Sequence, residues 1–228
     1  IFTEWGNLYK KASFDLIKFQ SLSDDYLVSN LPFIRPSISF ESNNLNNKQR
    51  NRNSSIKISL NSVSRKNNKD VDSLHFETNN NKSYIYKGFL IKDINIFNID
   101  SYNKNGTSND KAIIKFFPKL GFEAQYPLIN YSKKSSFLIE PKLQLFISPD
   151  DYYNDKIRNE DSLELDLNSS NLFNYNRYSG NDRKESGITL NYGLLLKKTN
   201  SNKQSLSSSL GQTYNNNRQE LFNKNSGF

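Results

Sequence analysis

Carboxylates that could do chemistry gather in one stretch of the chain, at Asp150, Asp151, Asp155, Glu160 and Asp161. Clustered carboxylate oxygens are ligands that Ca²⁺ prefers, but the spacing of an EF-hand loop is absent. Glu160 and Asp161 are adjacent, and adjacent residues of a strand point to opposite faces, which argues against their acting as an acid–base pair. The stretch therefore predicts a solvated loop and no metal site.

The other groups that could act as nucleophiles or bases are few. The single histidine, His75, has the spacing to share a strand face with Glu77, and a lone histidine on a strand is most often structural. The chain has no cysteine, which removes thiolate nucleophiles, disulfides and cysteine-ligated metals. No serine lies in the Gly-x-Ser-x-Gly elbow of the hydrolases. We therefore expect no enzyme activity, no catalytic residue and no cofactor.

The charge of the chain does not point to nucleic acid. The net charge is +8, but 31 basic residues are spread along the chain among 23 acidic ones. Clustered Lys and Arg are what release counterions from phosphate. No helix-turn-helix, zinc-finger or RNP-like pattern is present, so a nucleic-acid partner is not expected.

The composition favours strands as the elements that position these side chains. Only 35% of the residues are hydrophobic, and 16 Phe and 13 Tyr are prominent among them; both residue types are enriched in strands. The mean hydropathy is −0.78, and no stretch approaches the roughly 18 apolar residues of a membrane-spanning helix. An all-β fold follows.

A period of two recurs in long segments. Apolar and polar residues alternate at 34–41, 56–61, 119–128, 137–147 and 188–197, and weaker strands are predicted at 13–20, 71–78, 90–102 and 205–214. The strong runs approach about ten residues, whereas strands of soluble proteins average about five or six and a tilted strand crossing a bilayer needs roughly nine to eleven. About ten antiparallel, up-and-down strands of a transmembrane β-barrel are predicted, although a soluble β-sandwich or solenoid also alternates.

The connections also alternate in length. Residues 129–134 and 199–203 are short, residues 148–186 form one long outer loop, and polar stretches at 43–53 and 103–110 predict further turns. Short periplasmic turns and long outer loops are typical of outer-membrane barrels. Within the long loop, residues 163–167 are expected to form a small hairpin strand. Pro36 and Pro141 lie inside predicted strands, where a missing N–H usually marks an edge, a bulge or a strand end.

The alternation assigns two faces. The candidates for a polar, lumen-facing side are Lys119, Glu123, Glu140, Lys142, Gln144 and Asn191. The candidates for a lipid-facing side are Leu120, Phe122, Tyr126, Ile139, Leu143, Leu145, Leu190, Tyr192 and Leu194. Lys119, Lys142 and Lys197 also lie on the polar side, where a lumen ion-pair network would explain them.

The long loop carries its own polar and apolar anchors. Arg177, Asp182, Arg183 and Glu185 could form charge-assisted hydrogen bonds inside a barrel, where the reduced dielectric strengthens them. Burial of Leu172, Phe173 and Tyr178 could hold the loop in place. Such a loop could fold back as a partial plug.

Several motifs occur in a specific order. They are FFPKLGFEAQYPL (116–128), LIEPKLQLFISP (138–149), IRNEDS (157–162), NLFNYNRYSGNDRKESG (171–187), LNYGLLL (190–196) and LGQTY (210–214). They resemble the C-terminal barrel domain of the LptD (OstA) family of lipopolysaccharide-assembly outer-membrane proteins, over nearly the whole chain and most strongly from residue 116. The loop residues that match the family motif, as structural or lumen-facing positions, are Asn159, Glu160, Asp161, Ser162, Asn171, Leu172, Phe173, Asn176, Arg177, Gly180, Asp182, Arg183 and Gly187.

The resemblance implies a function and a location. Residues 1–228 would be an internal part of a single barrel domain, without the family's N-terminal jellyroll and without the first and last barrel strands. The family moves lipopolysaccharide from the periplasmic bridge to the outer leaflet of the outer membrane of Gram-negative bacteria. Implied partners are lipopolysaccharide, an LptE-like plug lipoprotein, the periplasmic bridge proteins and outer-membrane lipid. The alternatives are a passive, porin-like channel and a soluble β-rich binding module.

Overall fold

The computed structural model describes residues 2–5, 8–18, 32–47, 51–65, 70–105, 112–151 and 156–217. This part of the chain contains eleven strands: β1 (Phe2–Trp5), β2 (Leu8–Lys18), β3 (Pro32–Asn47), β4 (Arg52–Arg65), β5 (Asp70–Tyr86), β6 (Phe89–Asn105), β7 (Ile113–Gln125), β8 (Leu128–Tyr131), β9 (Ser135–Ser148), β10 (Gly187–Asn200) and β11 (Ser205–Asn215). Among the described residues there is no helix of the length and hydropathy needed to cross a membrane.

Neighbours in the sheet are neighbours in the chain. The strand order is β1-β2-β3-β4-β5-β6-β7-β9-β10-β11, with β8 paired to β9. The β2–β3, β3–β4, β7–β9, β9–β10 and β10–β11 pairings are antiparallel. The prediction of an all-β, antiparallel, up-and-down fold of about ten strands is therefore confirmed.

Strands β7 and β8 form one pass interrupted at a proline. Gln125 lies opposite Lys142 and Leu128 lies opposite Ile139, so both strands keep the same register against β9. Between them the Tyr126 N–H donates to the Pro141 carbonyl oxygen at 3.1 Å. Pro127 has no N–H to offer the ladder, which explains the break. Pro141 itself lies in the middle of β9, between two paired strands, rather than at an edge.

The strands are longer than the periodic segments that predicted them. β3 continues to Asn47 and β4 begins at Arg52, so the turn predicted at 43–53 was too long. β7 begins at Ile113, in a stretch where no strand was predicted, because its apolar run Ile113–Ile114 and Phe116–Phe117 obscures the alternation. The turn predicted at 103–110 falls largely on residues 106–111, which lie outside the described residues.

Among the connections that the structure describes, those after β5, β8 and β10 are short and the one after β9 is long, as predicted. Lys87 and Gly88 join β5 to β6 with φ of 49° and 87°, the left-handed pair that a two-residue hairpin turn requires. Residues 132–134 and 201–204 are also short turns, closed by Ser132 N–H to the Ser135 carbonyl at 2.8 Å and Asn200 N–H to the Gln204 carbonyl at 2.9 Å. In contrast, residues 149–186 connect β9 to β10 as one long loop.

The chain divides into two compact units. The first comprises Ile1–Asn80 and Ile96–Pro118, and the second comprises Asn81–Asn95 and Lys119–Phe228. Buried apolar side chains of the first unit are Val63, Val71, Ile96, Tyr102 and Phe117. Those of the second unit are Ile94, Phe146, Ile157 and Leu172.

Candidate functional site

The strands of the second unit separate an exposed apolar face from a buried polar face. On β9, Leu143 is 43% exposed and its neighbour Gln144 is 2% exposed. On β7, Leu120 is 52% exposed, whereas Lys119 is buried. Successive side chains of a strand point to opposite faces, so the polar residues are on the side that the rest of the unit covers.

The residues that the sequence assigned to the two faces differ in exposure in the same way. Of the lumen-facing candidates, Lys119, Glu123, Gln144 and Asn191 are buried, and Glu140 and Lys142 are half-buried. Of the lipid-facing candidates, Leu120, Phe122, Leu143 and Tyr192 are exposed, and Tyr126, Ile139, Leu145, Leu190 and Leu194 are half-buried.

A row of polar side chains crosses four strands of the buried face. Thr213, Asn191, Gln144 and Glu123 lie directly opposite one another on β11, β10, β9 and β7. The Thr213 hydroxyl donates to Asn191 Oδ1 at 2.6 Å, Asn191 Nδ2 donates to Gln144 Oε1 at 3.0 Å, and Gln144 Nε2 donates to Glu123 Oε2 at 2.8 Å. Every donor in the row points toward the Glu123 carboxylate. Each amide therefore donates to the residue on its Glu123 side and accepts from the residue on its other side.

The carboxylate at the end of the row has two further partners. Gln125 Nε2 donates to Glu123 Oε1 at 2.7 Å, and Lys142 Nζ lies 3.2 Å from Glu123 Oε2. A buried charge is costly unless it is paired and hydrogen-bonded. The amides and the ammonium together meet that requirement, and charge-assisted bonds of this kind are the stronger ones.

The long loop contacts this polar face. Lys119 Nζ donates to the Tyr175 carbonyl oxygen at 2.6 Å, and Lys142 Nζ lies 4.6 Å from the centre of the Phe173 ring. The loop between β9 and β10 is therefore joined to β7 and β9 by two lysines of the face that it covers.

Two glycines leave room for the apolar anchors of the loop. A Cβ atom at Gly211 would lie 2.2 Å from Leu172 Cδ2, and one at Gly193 would lie 3.2 Å from Phe173 Cζ. Gly193 and Gly211 are opposite each other on β10 and β11. Leu172 and Phe173 thus occupy the space in which side chains of these two positions would lie.

Inside the loop the two family-like motifs bind each other through two aspartates. Asp161 Oδ1 accepts hydrogen bonds from the Asn181 and Asp182 N–H groups, both at 3.0 Å. In return Asp182 Oδ2 accepts from the Glu160 N–H at 2.7 Å and from the Asp161 N–H at 3.3 Å. A Cβ atom at Gly180 would lie 2.4 Å from the Asp161 carbonyl oxygen, so this close approach needs a glycine. Residues 160–161 and 180–182 therefore form one interlocked unit.

Neighbouring residues add further hydrogen bonds around residues 160–161 and 180–182. Ser162 Oγ accepts from the Arg183 N–H at 3.0 Å, and Arg183 Nη2 donates to the Ile157 carbonyl oxygen at 2.9 Å. Asn159 and Ser162 bond each other, with Asn159 Nδ2 to the Ser162 carbonyl at 2.7 Å and the Ser162 N–H to Asn159 Oδ1 at 2.9 Å. At the tip of the loop, the Asn168 N–H donates to Asn171 Oδ1 at 2.8 Å.

A buried ion pair closes the base of the loop. Arg177 binds Glu185 through Nε to Oε2 at 3.1 Å and through Nη2 to Oε1. The Glu185 N–H donates to Asn176 Oδ1 at 3.0 Å. Burial lowers the pKa of Arg177, and the charge of Glu164 partly offsets that effect. Arginine remains protonated in proteins, so the pair is ionic, and loss of either partner would leave a buried charge.

The hairpin expected at 163–167 is present in a reduced form. The Leu165 N–H donates to the Arg177 carbonyl at 2.9 Å, and the Ser179 N–H donates to the Leu163 carbonyl at 2.8 Å. Only Glu164 and Tyr178 form a β-bridge, and no strand is present there.

The sequence predicted only some of the contacts that the charged loop residues make. Arg177 and Glu185 form a charge-assisted pair, and Asp182 and Arg183 also bind backbone groups, which the sequence did not predict. The prediction that Asp161 belongs to a solvated acidic cluster is wrong, because its carboxylate accepts hydrogen bonds from backbone N–H groups. Asp150 Oδ1 accepts from Asn217 Nδ2 at 2.6 Å, and Asp155 lies outside the described residues. Gly193, Gly211 and Thr213 were not singled out as site residues.

The chain matches the model of one protein family, LptD, described as "LPS transport system D", over residues 5–228. The chain belongs to the LptD family. This LptD chain therefore takes part in lipopolysaccharide transport in the general sense of its family, which is a transport and assembly family. No curated protein matches the chain at a significant level. The two motifs that interlock in the loop, residues 157–162 and 171–187, are among those that resemble the family.

Proposed function

We propose that this chain forms part of the wall of an outer-membrane translocon that moves lipopolysaccharide from the periplasmic bridge to the outer leaflet. The observation that carries the proposal is the division in the second unit between an exposed apolar face and a buried polar face. A membrane barrel needs this division because its outer side meets hydrocarbon and its inner side meets water.

The apolar face fits contact with lipid. Phe122, Leu143, Ile147, Ile188 and Tyr192 are all more than a third exposed and lie on neighbouring strands. Large contiguous apolar patches are rare on the surfaces of soluble monomers and usually mark an interaction site. Outer-membrane lipid is therefore the proposed partner of this face.

The polar face fits passage of a hydrated, anionic saccharide, with the loop as a partial plug. While the loop is docked, Lys119 donates to the Tyr175 carbonyl oxygen and Lys142 lies against the Phe173 ring. Lys197 is exposed on the same side of β10. Opening of the loop would expose two more lysines toward phosphate groups. The docked loop favours a gated translocon over an open, porin-like channel, and an LptE-like lipoprotein and the bridge proteins are the proposed protein partners.

The proposed membrane face is tested with two cysteine variants of the full-length protein. Leu143→Cys lies on the apolar face, and Leu163→Cys lies on the loop; both leucines are exposed. After attachment of a fluorophore in vesicles, nitroxides on lipid tails are expected to quench the label at position 143 and to spare the label at 163. Equal quenching at the two positions, with equal reaction toward a water-soluble maleimide, would contradict contact with lipid.

Transport is distinguished from passive conduction in depleted cells. When the full-length protein is depleted in a Gram-negative host, lipopolysaccharide is expected to accumulate in the inner membrane and to be lost from the cell surface. A porin-like channel would instead reduce uptake of small solutes and leave surface lipopolysaccharide unchanged. Complementation by the intact gene is the control.

A further inference from the structure

The short turns of the second unit lie at one end of its strands. They follow β5, β8 and β10, and every second connection of an up-and-down sheet is at the same end. The Ser201 N–H donates to the Lys134 carbonyl oxygen at 2.9 Å, so the turns after β8 and β10 are in contact. A Cβ atom at Gly88 would lie 3.0 Å from Tyr126 Cε2. The turn after β5 therefore lies beside the pass that β7 and β8 form.

The short turns and the strand ends beside them are basic. Residues 86–89, 131–136 and 197–205 contain six lysines and no Asp or Glu. The long loop at the opposite end, residues 149–186, instead contains nine carboxylates and five basic residues. The short-turn end is therefore positive and complementary to an anionic partner. All six of its lysines are exposed, namely Lys87, Lys133, Lys134, Lys197, Lys198 and Lys203.

Lys198 ends the apolar face of β10. Residues at intervals of two share a strand face, so Lys198 lies on the side of Tyr192 and Leu194, whereas Lys197 lies on the polar side. Lys198 is opposite Phe137 of β9, whose ring is also exposed. Barrels carry aromatic residues where the apolar band meets the headgroups, and a lysine there keeps its stem on the apolar surface and its ammonium in water. Lys198 and Phe137 therefore mark a boundary between membrane and water.

The same apolar face contains a groove of about 750 Å³, a volume within the range of ligand sites. The groove runs from Phe89 on β6 across β7, β9 and β10 to Leu210 on β11, and most of its lining is apolar or aromatic. The rings of Phe89 and Tyr126 lie at one side, with their centres 4.6 Å apart. The small side chain of Ala124 keeps the groove open on β7.

The groove and Lys198 are separated by the depth of one leaflet. Two residues of the groove, Leu194 and Tyr192, precede Lys198 on β10. A strand rises about 3.3 Å per residue, so they lie about 13 and 20 Å along the strand from Lys198. Because strands of membrane barrels are tilted by about 45°, these distances become depths of about 9 and 14 Å in a leaflet whose hydrocarbon is about 15 Å deep. An acyl chain whose headgroup lies at Lys198 therefore reaches the groove.

We propose that the short-turn end of the second unit binds a glycerophospholipid with an anionic headgroup. Lys198 and the turn lysines Lys134 and Lys203 hold the headgroup, and one acyl chain lies in the groove. A lysine beside an anionic lipid surface strengthens binding about fivefold. The inference rests on the membrane wall proposed above, and it adds which lipid that wall selects and where.

The headgroup is tested on the purified full-length protein in an uncharged detergent, by native mass spectrometry. Phosphatidylglycerol and phosphatidylcholine with identical acyl chains are the probes, and phosphatidylglycerol should bind at least tenfold more tightly. K198Q should weaken phosphatidylglycerol binding about fivefold, K198R should restore it, and phosphatidylcholine binding should not change. The matched control is K197Q, which removes the same charge on the other face and should change binding less than twofold. Equal effects of K197Q and K198Q, or a larger loss of lipopolysaccharide than of phosphatidylglycerol in K198Q, would overturn the proposal.

The acyl-chain groove is tested with a side chain that fills it. A124W should weaken binding of long-chain phosphatidylglycerol at least fivefold and leave binding of its dihexanoyl form unchanged. The control is I188W, which adds the same ring at an exposed position of the apolar face outside the groove. Equal loss in A124W and I188W would refute the groove as the chain site. If lipid nitroxides quench a label at position 143 while K198Q and A124W bind lipid as the wild type does, the membrane wall stands and this lipid site is wrong.

Discussion

Removal of one apolar anchor should release the long loop from the polar face. Leu172 is 6% exposed and occupies the space above Gly211. Truncation of a buried leucine to alanine costs about 2–5 kcal/mol. We take about 2–3 kcal/mol for L172A because a loop relaxes more readily than a core. At about 1.4 kcal/mol for each factor of ten, the docking equilibrium should fall about 30- to 150-fold.

Trypsin measures this equilibrium without a further mutation. Arg177 is buried in its pair with Glu185, so cleavage after it requires the loop to open. Cleavage that is slow relative to reclosing reports the open population. Arg158, exposed at the start of the same loop, provides an internal reference site. The ratio of cleavage after Arg177 to cleavage after Arg158 should rise by the calculated factor in L172A.

The matched control is a second leucine of the same loop. Leu165 is 43% exposed, and L165A should change the cleavage ratio less than twofold. If L165A and L172A raise the ratio equally, or if neither raises it, then the contact with Gly211 does not hold the loop and the reasoning is refuted.

Four further substitutions should act on the polar face or on the loop that covers it. G211A places a Cβ 2.2 Å from Leu172 Cδ2 and 2.8 Å from the Tyr192 carbonyl oxygen. Such overpacking costs about 1–3 kcal/mol, so the ratio of tryptic cleavage after Arg177 to cleavage after Arg158 should rise. An unchanged ratio would mean that the loop does not pack there. E123Q replaces the ionised acceptor of the polar row and should lower the temperature of heat-modifiable unfolding by the equivalent of about 1–3 kcal/mol, whereas an equal effect of E140Q would show that the row has no special role. D161N and D182N should each raise the tryptic ratio. Because each aspartate binds the backbone around the other, the free-energy change of the double variant should be smaller than the sum of the two single changes by about 0.5–3 kcal/mol. Additive free-energy changes would contradict the reciprocal arrangement.

The strands and their faces could be predicted because side-chain alternation is a local property. The apolar parity of 188–196 and 137–147 predicted β10 and β9, and the same parity indicated which residues are exposed. β7 was incompletely predicted because Ile113–Ile114 and Phe116–Phe117 are apolar on both faces. The hairpin at 163–167 was overestimated because two short pairings satisfy the backbone there without a ladder.

The amino-acid order by itself determined the all-β class, the alternation of short and long connections, the two faces of each strand and the family motifs, since all of these depend on spacings of a few residues. Only the tertiary structure decided that the loop docks on the polar face, that Gly193 and Gly211 accommodate Phe173 and Leu172, and that His75 meets Asp100. These contacts join residues far apart in the chain, and the packing of the loop and of neighbouring strands, which no spacing of a few residues specifies, brings them together.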